Sequence, residues 1–266
     1  MNDTDVTGTV HLVGAGPGAA DLLTLRAARL LGEADIVFHD ALVSQEILNL
    51  SQAEKIAVGK RCGKHSTAQR FINKRLADAA RRYRTVVRLK GGDPMLFGRA
   101  DEEIRYLHSL GISVEVVPGI TAASAASAAL RVSLTRRGVS RSVTFATPRH
   151  GEGESPSQWA RAAAAADTAV LYMAAGDADA VRRSLLAEGL HPHTPVVVVE
   201  SASLPAQQIF AGTLAELPAL AARCTGGPAL LAIGEVLRKW GQTPFISFEQ
   251  SEVPSAQMRK MGSVPI

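Results

Sequence analysis

Only two cysteines, Cys62 and Cys224, occur in the 266 residues. Two thiols that far apart make no disulfide framework, and so low a count fits a reducing compartment. Aromatic residues are scarce at 5%, which leaves few stacking platforms for single-stranded nucleic acid. No segment carries a continuous basic stripe. No apolar run reaches the length of a membrane span, and windows such as Thr194–Glu200 are strand-sized. Met1 to Thr9 is polar, with Asp3 and Asp5, and has neither the basic start nor the apolar stretch of a signal peptide. No internal repeat is present. These absences argue against membrane and nucleic-acid partners and for a cytoplasmic location.

What is present points to an enzyme-sized α/β chain. Hydrophobic residues make up 46% and charged residues 20%, enough apolar content for a sizeable core and too little charge for wholesale disorder. The length suits two small domains. The net charge of +4 comes mostly from arginine, the residue that pairs bidentately with carboxylate and phosphate. A polyanionic small substrate suits that balance.

Strand-like segments recur at Thr9–Val13, Asp35–Phe38, Lys55–Val58, Thr85–Leu89 and Ser113–Val117. Helical periodicity fills Asp21–Ala34, Thr67–Arg82 and Asp101–Leu110, with Leu22, Leu25, Ala28 and Leu31 as the inner face of the first helix. That alternation predicts a parallel sheet covered by helices. A small-residue helix, Thr121–Leu130, leads to the arginine-rich link Leu134–Gly138. The second half has strands at Ser142–Thr147, Thr168–Met173, Pro195–Glu200, Gln207–Ala211 and Ala229–Gly234. Helices at Ser157–Ala166, Ala178–Gly189 and Thr213–Arg223 lie between them. Two of those strands follow each other directly, so this sheet is expected to be mixed. The expectation is two α/β domains, residues 8–137 and 138–243, with a cleft between them, a flexible loop at Gly151–Ser157 and a mobile tail over 244–266.

The first chemical signal is Val13-Gly-Ala-Gly-Pro-Gly18, after a strand and before a helix. Gly14, Gly16 and Ala19 match G-x-G-x-x-A, and Asp40 ends the second strand, where a dinucleotide fold places its ribose acid. A nicotinamide-dependent oxidoreductase is therefore one reading. Pro17 opposes it, because a pyrophosphate cradle needs N–H groups and proline has none. The second signal, Val86 to Gly98, puts Gly91-Gly92-Asp93 after the fourth strand. With Pro118-Gly-Ile-Thr121 it outlines one crevice at the carboxyl edge of the sheet. Asp93 either caps the next turn or meets a ligand ammonium or ribose hydroxyl.

These words resemble the tetrapyrrole methylases, and within them the uroporphyrinogen-III C-methyltransferase branch. The resemblance rests on Gly14–Gly18 with Leu22-Leu-Thr24, Asp40–Ser44, Gly59-Lys-Arg-Cys-Gly-Lys-His-Ser66 with Gln69, Gly91-Gly-Asp-Pro94 with Phe97-Gly-Arg99, Val117–Thr121, Leu134-Thr135 and Tyr172-Met173. It covers about residues 9 to 240. It implies S-adenosylmethionine as methyl donor, contacted by Pro17, Gly91, Gly92, Asp93, Leu96, Thr121 and Ala122 from the first domain. Met173, Ala202 and Ala229 would contribute from the second, although in isolation a methionine such as Met173 more commonly packs in a core. It also implies a homodimer and a carboxylate-rich tetrapyrrole, methylated at C2 and C7 to precorrin-2 on the way to sirohaem or cobalamin.

In that chemistry Asp40 is the candidate base, against a cap or ion-pair role, and Lys60 a candidate acid or carboxylate clamp, against a solvated one. Arg61, Arg99, Arg136 and Arg137 are candidate partners of the substrate carboxylates, against solvated surface roles. A non-catalytic tetrapyrrole carrier would use the same cleft. No metal is expected: His191 with His193, and Cys62 with His65, lack enough partners. The chain departs from the family pattern at His39, Ala41, Ala100-Asp101, Leu130, Arg136, Thr147-Pro-Arg149 and Ala175, mostly on the tetrapyrrole side. It carries no word of a fused dehydrogenase-ferrochelatase, so the reaction is expected to stop at precorrin-2.

Overall fold

The computed structural model describes residues 7–58, 69–150 and 157–238. The 244–266 tail and most of the Gly151–Ser157 loop lie outside them. The first half is a five-stranded sheet of β1 (Thr9–Gly14), β2 (Ile36–His39), β3 (Glu54–Ala57), β4 (Thr85–Lys90) and β5 (Val114–Val117). Every pairing is parallel, in the order β3-β2-β4-β1-β5. The central strands β1 and β4 are buried on both faces, as helix-covered parallel strands must be.

Two helices cover each face. On one, α1 (Leu25–Glu33) and α2 (Gln45–Leu48) pack on Val13, Val37, Val87 and Leu89. On the other, α3 (Gln69–Ala80) and α4 (Ala100–Ser109) pack on Val10, Leu12, Phe38 and Val86. α1 starts later than its periodicity predicts. Ala20–Leu22 is a separate 3₁₀ turn, and Thr24 caps α1 by accepting from the Ala27 N–H at 3.2 Å. The helix face is thereby rotated. Ala27, Leu30 and Leu31 are buried, whereas Leu25, expected inside, is 85% exposed.

The second sheet is mixed, as the directly consecutive strands require. Its members are β6 (Val143–Ala146), β7 (Thr168–Tyr172), β8 (Pro195–Glu200), β9 (Gln208–Thr213) and β10 (Ala229–Gly234), ordered β6-β7-β10-β8-β9. β10 runs antiparallel to both its neighbours. One face packs on α6 (Trp159–Ala165), α7 (Ala178–Ala187) and α8 (Leu217–Ala221). The other takes α5 (Ala122–Leu130), whose Ala123, Ala125, Ala126 and Leu130 meet Val170, Val197, Val199 and Ala232. Small side chains let α5 lie close to the sheet, so the helix that leaves β5 is anchored on the other half of the molecule. Among the described residues no helix is long and apolar enough to cross a membrane.

Candidate active site

β1 and β4 are adjacent, but the chain leaves β1 for α1 on one face and leaves β4 for α4 on the other. An open α/β sheet opens its ligand crevice at such a divergence. There Gly16 and Gly92 exchange two backbone hydrogen bonds, Gly92 N–H to the Gly16 carbonyl at 2.7 Å and Gly16 N–H to the Gly92 carbonyl at 3.2 Å. Asp93 adds the third loop: Oδ2 accepts from Gly119 N–H at 2.9 Å while Oδ1 accepts from Met95 N–H at 2.8 Å. Asp93 thus caps its own turn and ties down its neighbour.

Only glycine allows this approach. A Cβ on Gly119 would lie 2.2 Å from the Gly92 oxygen, and one on Gly14 would lie 2.6 Å from the Gly119 Cα. At Gly92 itself, φ is +68° and a Cβ would meet nothing within 4 Å. That open side is a cradle that a side chain would fill, and it fits a ligand lying against the loop.

The same bonding removes the dinucleotide reading. Along residues 15–19 the N–H groups of Ala15, Gly16 and Ala19 are engaged by the Lys90 carbonyl, the Gly92 carbonyl and Ser203 Oγ, and Pro17 has none. No row of amides is left to cradle a pyrophosphate. Asp40 is engaged as well, its Oδ1 accepting from Arg88 Nη2 at 2.5 Å.

The second sheet supplies the opposing wall. Leu230 lies opposite Tyr172 and Ala229 opposite Glu200, so the ends of β7 and β8 and the start of β10 form one edge. Met173, Ala202 and Ala229 all fall on that edge. Tyr172 Oη shares a 2.6 Å hydrogen bond with Thr121 Oγ1 and accepts from Ala123 N–H at 3.2 Å. The edge is thereby tied to the start of α5, where Thr121 and Ala122 stand. Burial raises the Tyr172 pKa, and these two hydrogen bonds only partly oppose it, so the phenol stays neutral. On the next loop Ser203 holds Ala19, and Leu204 packs so near Gly18 that a Cβ there would come within 2.8 Å of it. Six non-glycine residues have positive φ among the described residues, and Phe97, Arg99, Met173, Ser201 and Ser203 are five of them. Strain of about 1–3 kcal/mol per residue collects at ligand sites, and all five lie on loops of this crevice.

A family model described as tetrapyrrole (corrin/porphyrin) methylases matches residues 9–218. The chain belongs to this family. A siroheme synthase of Psychrobacter sp. (strain PRwf-1) is 44% identical over 239 residues, 89% of this chain and 49% of that protein. The chain spans about half the length of the curated relatives it matches. Among solved structures, the native form of uroporphyrin III C-methyl transferase from Thermus thermophilus superposes with a TM-score of 0.78 at 37% identity. That match covers 90% of this chain and 98% of that one. A uroporphyrin-III C-methyl transferase from the same organism, complexed with S-adenyl homocysteine, gives 0.77 at 39% identity over 87% and 99% of the two chains.

The arginines of this tetrapyrrole methylase are placed less uniformly than its glycines. Arg99 is locked fork-to-fork on Glu102, with both contacts at 2.7 Å, and this hydrogen-bonded pairing holds the Glu102 carboxyl below its ordinary range despite a partial burial that works the other way. Arg136 and Arg137 form an exposed turn whose Ser140 bonds Thr168, the first residue of β7. β7 runs from there to Tyr172, about 13 Å, so both arginines stand at the far end of the second sheet from Met173. Lys60, Arg61, Cys62 and His65 lie outside the described residues. Among the described residues no group of three or more His, Cys, Asp or Glu is placed to hold a metal ion.

Two features escaped sequence reasoning. Phe97 and Phe145 flank Tyr172, with ring centroids 5.1 and 6.2 Å from it. Together with Met173 they leave an exposed apolar face at the crevice mouth. The other feature is a buried set of charges beneath Asp40, formed by Arg88, Lys90 and Glu103. Its signal was legible, since Arg88 and Lys90 interrupt an otherwise apolar central strand.

Proposed function

We propose that this chain is an S-adenosylmethionine-dependent C-methyltransferase that methylates uroporphyrinogen III at C2 and C7 to give precorrin-2. The observation that carries the reading is the Gly16–Gly92 pairing, which takes the Gly16 amide that a nucleotide cradle would present yet leaves the Gly92 side open to a ligand. The likeness to a uroporphyrin-III C-methyl transferase complexed with S-adenyl homocysteine supports the choice of ligand.

The residues that would hold the donor are Pro17, the Gly91–Asp93 loop, Leu96, Thr121 and Ala122 on one wall and Met173, Ala202 and Ala229 on the other. When bound, S-adenosylmethionine supplies an electrophilic methyl group on a sulfonium. The protein's own contribution is alignment of the pyrrole carbon with that group. The apolar Phe97–Tyr172–Phe145 face takes the ring, Lys60 and Arg61 meet its carboxylates, and Arg99 joins them only by exchanging its Glu102 partner for one of those carboxylates. Arg136 and Arg137 would serve the same role only for a substrate arm, or a second subunit, that reaches the far end of the sheet. Methyl transfer leaves the macrocycle cationic, and Asp40 accepts the proton that the ring then loses. The fold is divided at residues 134–138, the donor lying between the halves. A cytoplasmic homodimer completes the reading; light scattering on the purified protein tests the dimer.

One pair of measurements tests the function. Calorimetry should detect S-adenosylhomocysteine binding and no NADPH binding, and the reverse pattern overturns the proposal. Incubation with uroporphyrinogen III and the donor should yield a dimethylated product, whereas binding without methyl transfer would indicate a carrier.

A further inference from the structure

Arg88 and Lys90 lie two residues apart on β4 and therefore point to the same face of the sheet. Both are almost wholly buried, at 2% and 3% exposure, and Glu103 on α4 is fully buried between them. Glu103 Oε1 accepts from Arg88 Nε at 3.2 Å, Lys90 Nζ at 3.1 Å and Gln69 Nε2 at 3.0 Å, and its Oε2 accepts from Lys90 Nζ at 3.0 Å. Arg88 Nη1 donates to the Leu89 carbonyl at 3.2 Å, and Nη2 reaches Asp40. Its guanidinium is thus held at all three nitrogens. The chain of charges runs Lys90–Glu103–Arg88–Asp40, with a closed end at Lys90 and an open end at the Asp40 side chain, 29% exposed on the crevice rim.

Stability alone gives no reason to keep four charges in and above a central strand, since well-packed apolar replacements of buried ion pairs are commonly neutral or stabilising. We propose that Glu103 is a positioning residue for methyl transfer: it fixes Arg88, and through Arg88 it sets where the Asp40 carboxylate stands. The inference rests on the reading of Asp40 as the base.

The test uses Glu103→Gln, Lys90→Met and the double variant. The readouts are melting temperature, S-adenosylhomocysteine affinity, and kcat and KM for uroporphyrinogen III. Glu103→Gln leaves two buried cations facing Asp40 alone, so it loses both stability and turnover. The double variant removes one charge of each sign and recovers melting temperature. Its kcat should stay down by roughly a hundredfold, the scale expected for misplacing a catalytic group by about 1 Å. KM and cofactor affinity should remain near wild type, and Lys90→Met alone should keep wild-type kcat. Combined with Asp40→Asn, the double variant should add no further loss, because both act through one carboxylate. Wild-type kcat in the double variant, or an equal loss in Lys90→Met alone, overturns the inference. Failure of the underlying reading looks different, since Asp40→Asn would then itself keep its turnover.

Discussion

Gly16 and Gly92 hydrogen-bond to each other in both directions, although they lie 76 positions apart in sequence. The two loops are therefore tied to each other at the crevice. Gly92→Val puts a β-branched side chain at φ +68°, a cost of about 1–2 kcal/mol. Its Cβ is unhindered, so the fold survives while the cradle fills. S-adenosylhomocysteine affinity, measured by calorimetry, should fall at least about tenfold, equivalent to about 1.4 kcal/mol. Unchanged affinity would move the donor away from this loop.

Asp40→Asn keeps the size of the side chain and its hydrogen bond to Arg88 but removes the negative charge. Turnover should fall by roughly 10² to 10⁴, the usual loss for a general base, with cofactor affinity preserved. The melting temperature should also drop, because the buried Arg88 loses a counter-charge. Lost affinity with intact turnover per bound enzyme would place Asp40 at the cofactor instead.

Phe145→Ala removes a ring that stands edge-on to Tyr172 at 6.2 Å and is 40% exposed. The tetrapyrrole KM should rise about tenfold, in keeping with about 1.5 kcal/mol of lost aromatic contact. S-adenosylhomocysteine affinity should not change. A change in the opposite sense, donor affinity lost and KM kept, would show that the aromatic face belongs to the donor.

Glu200 predicts an acid-side loss of stability. Burial pushes its carboxyl up, but hydrogen bonds from the Thr225, Gly227 and Gly226 N–H groups and the Thr225 hydroxyl more than offset this and hold it below the ordinary 4.5. A carboxyl depressed on folding contributes stability that is fully present above its unfolded value and is lost as pH falls through the folded one. Melting temperature should therefore fall below about pH 4.5 in the wild type. Part of that fall should disappear in Glu200→Gln, which starts from a lower plateau. Superposable pH profiles would rule the group out as a contributor.

The sequence by itself determined the strands, every α-helix but α2, and the family. Pro195–Glu200 and Ala229–Gly234 were legible end to end because an unbroken apolar run bounded by turn residues is a local pattern. The glycine-rich words placed the crevice for the same reason, since each word sits directly after a strand. Tertiary structure decided what local patterns do not carry. Gly16 has its N–H on Gly92, Asp40 has its partner in Arg88, and Arg88 is anchored by Glu103, all across dozens of residues or between different elements. The first turn of α1 shows the same limit on a smaller scale: periodicity put Leu25 inside, but the Thr24 cap started the helix there and turned Leu25 to solvent. Arg136 and Arg137 were candidate partners of the substrate carboxylates because they lie in or near motif words. The run of α5 along the second sheet carries them to its opposite end, since a helix displaces the chain by its own length before the next residue can act.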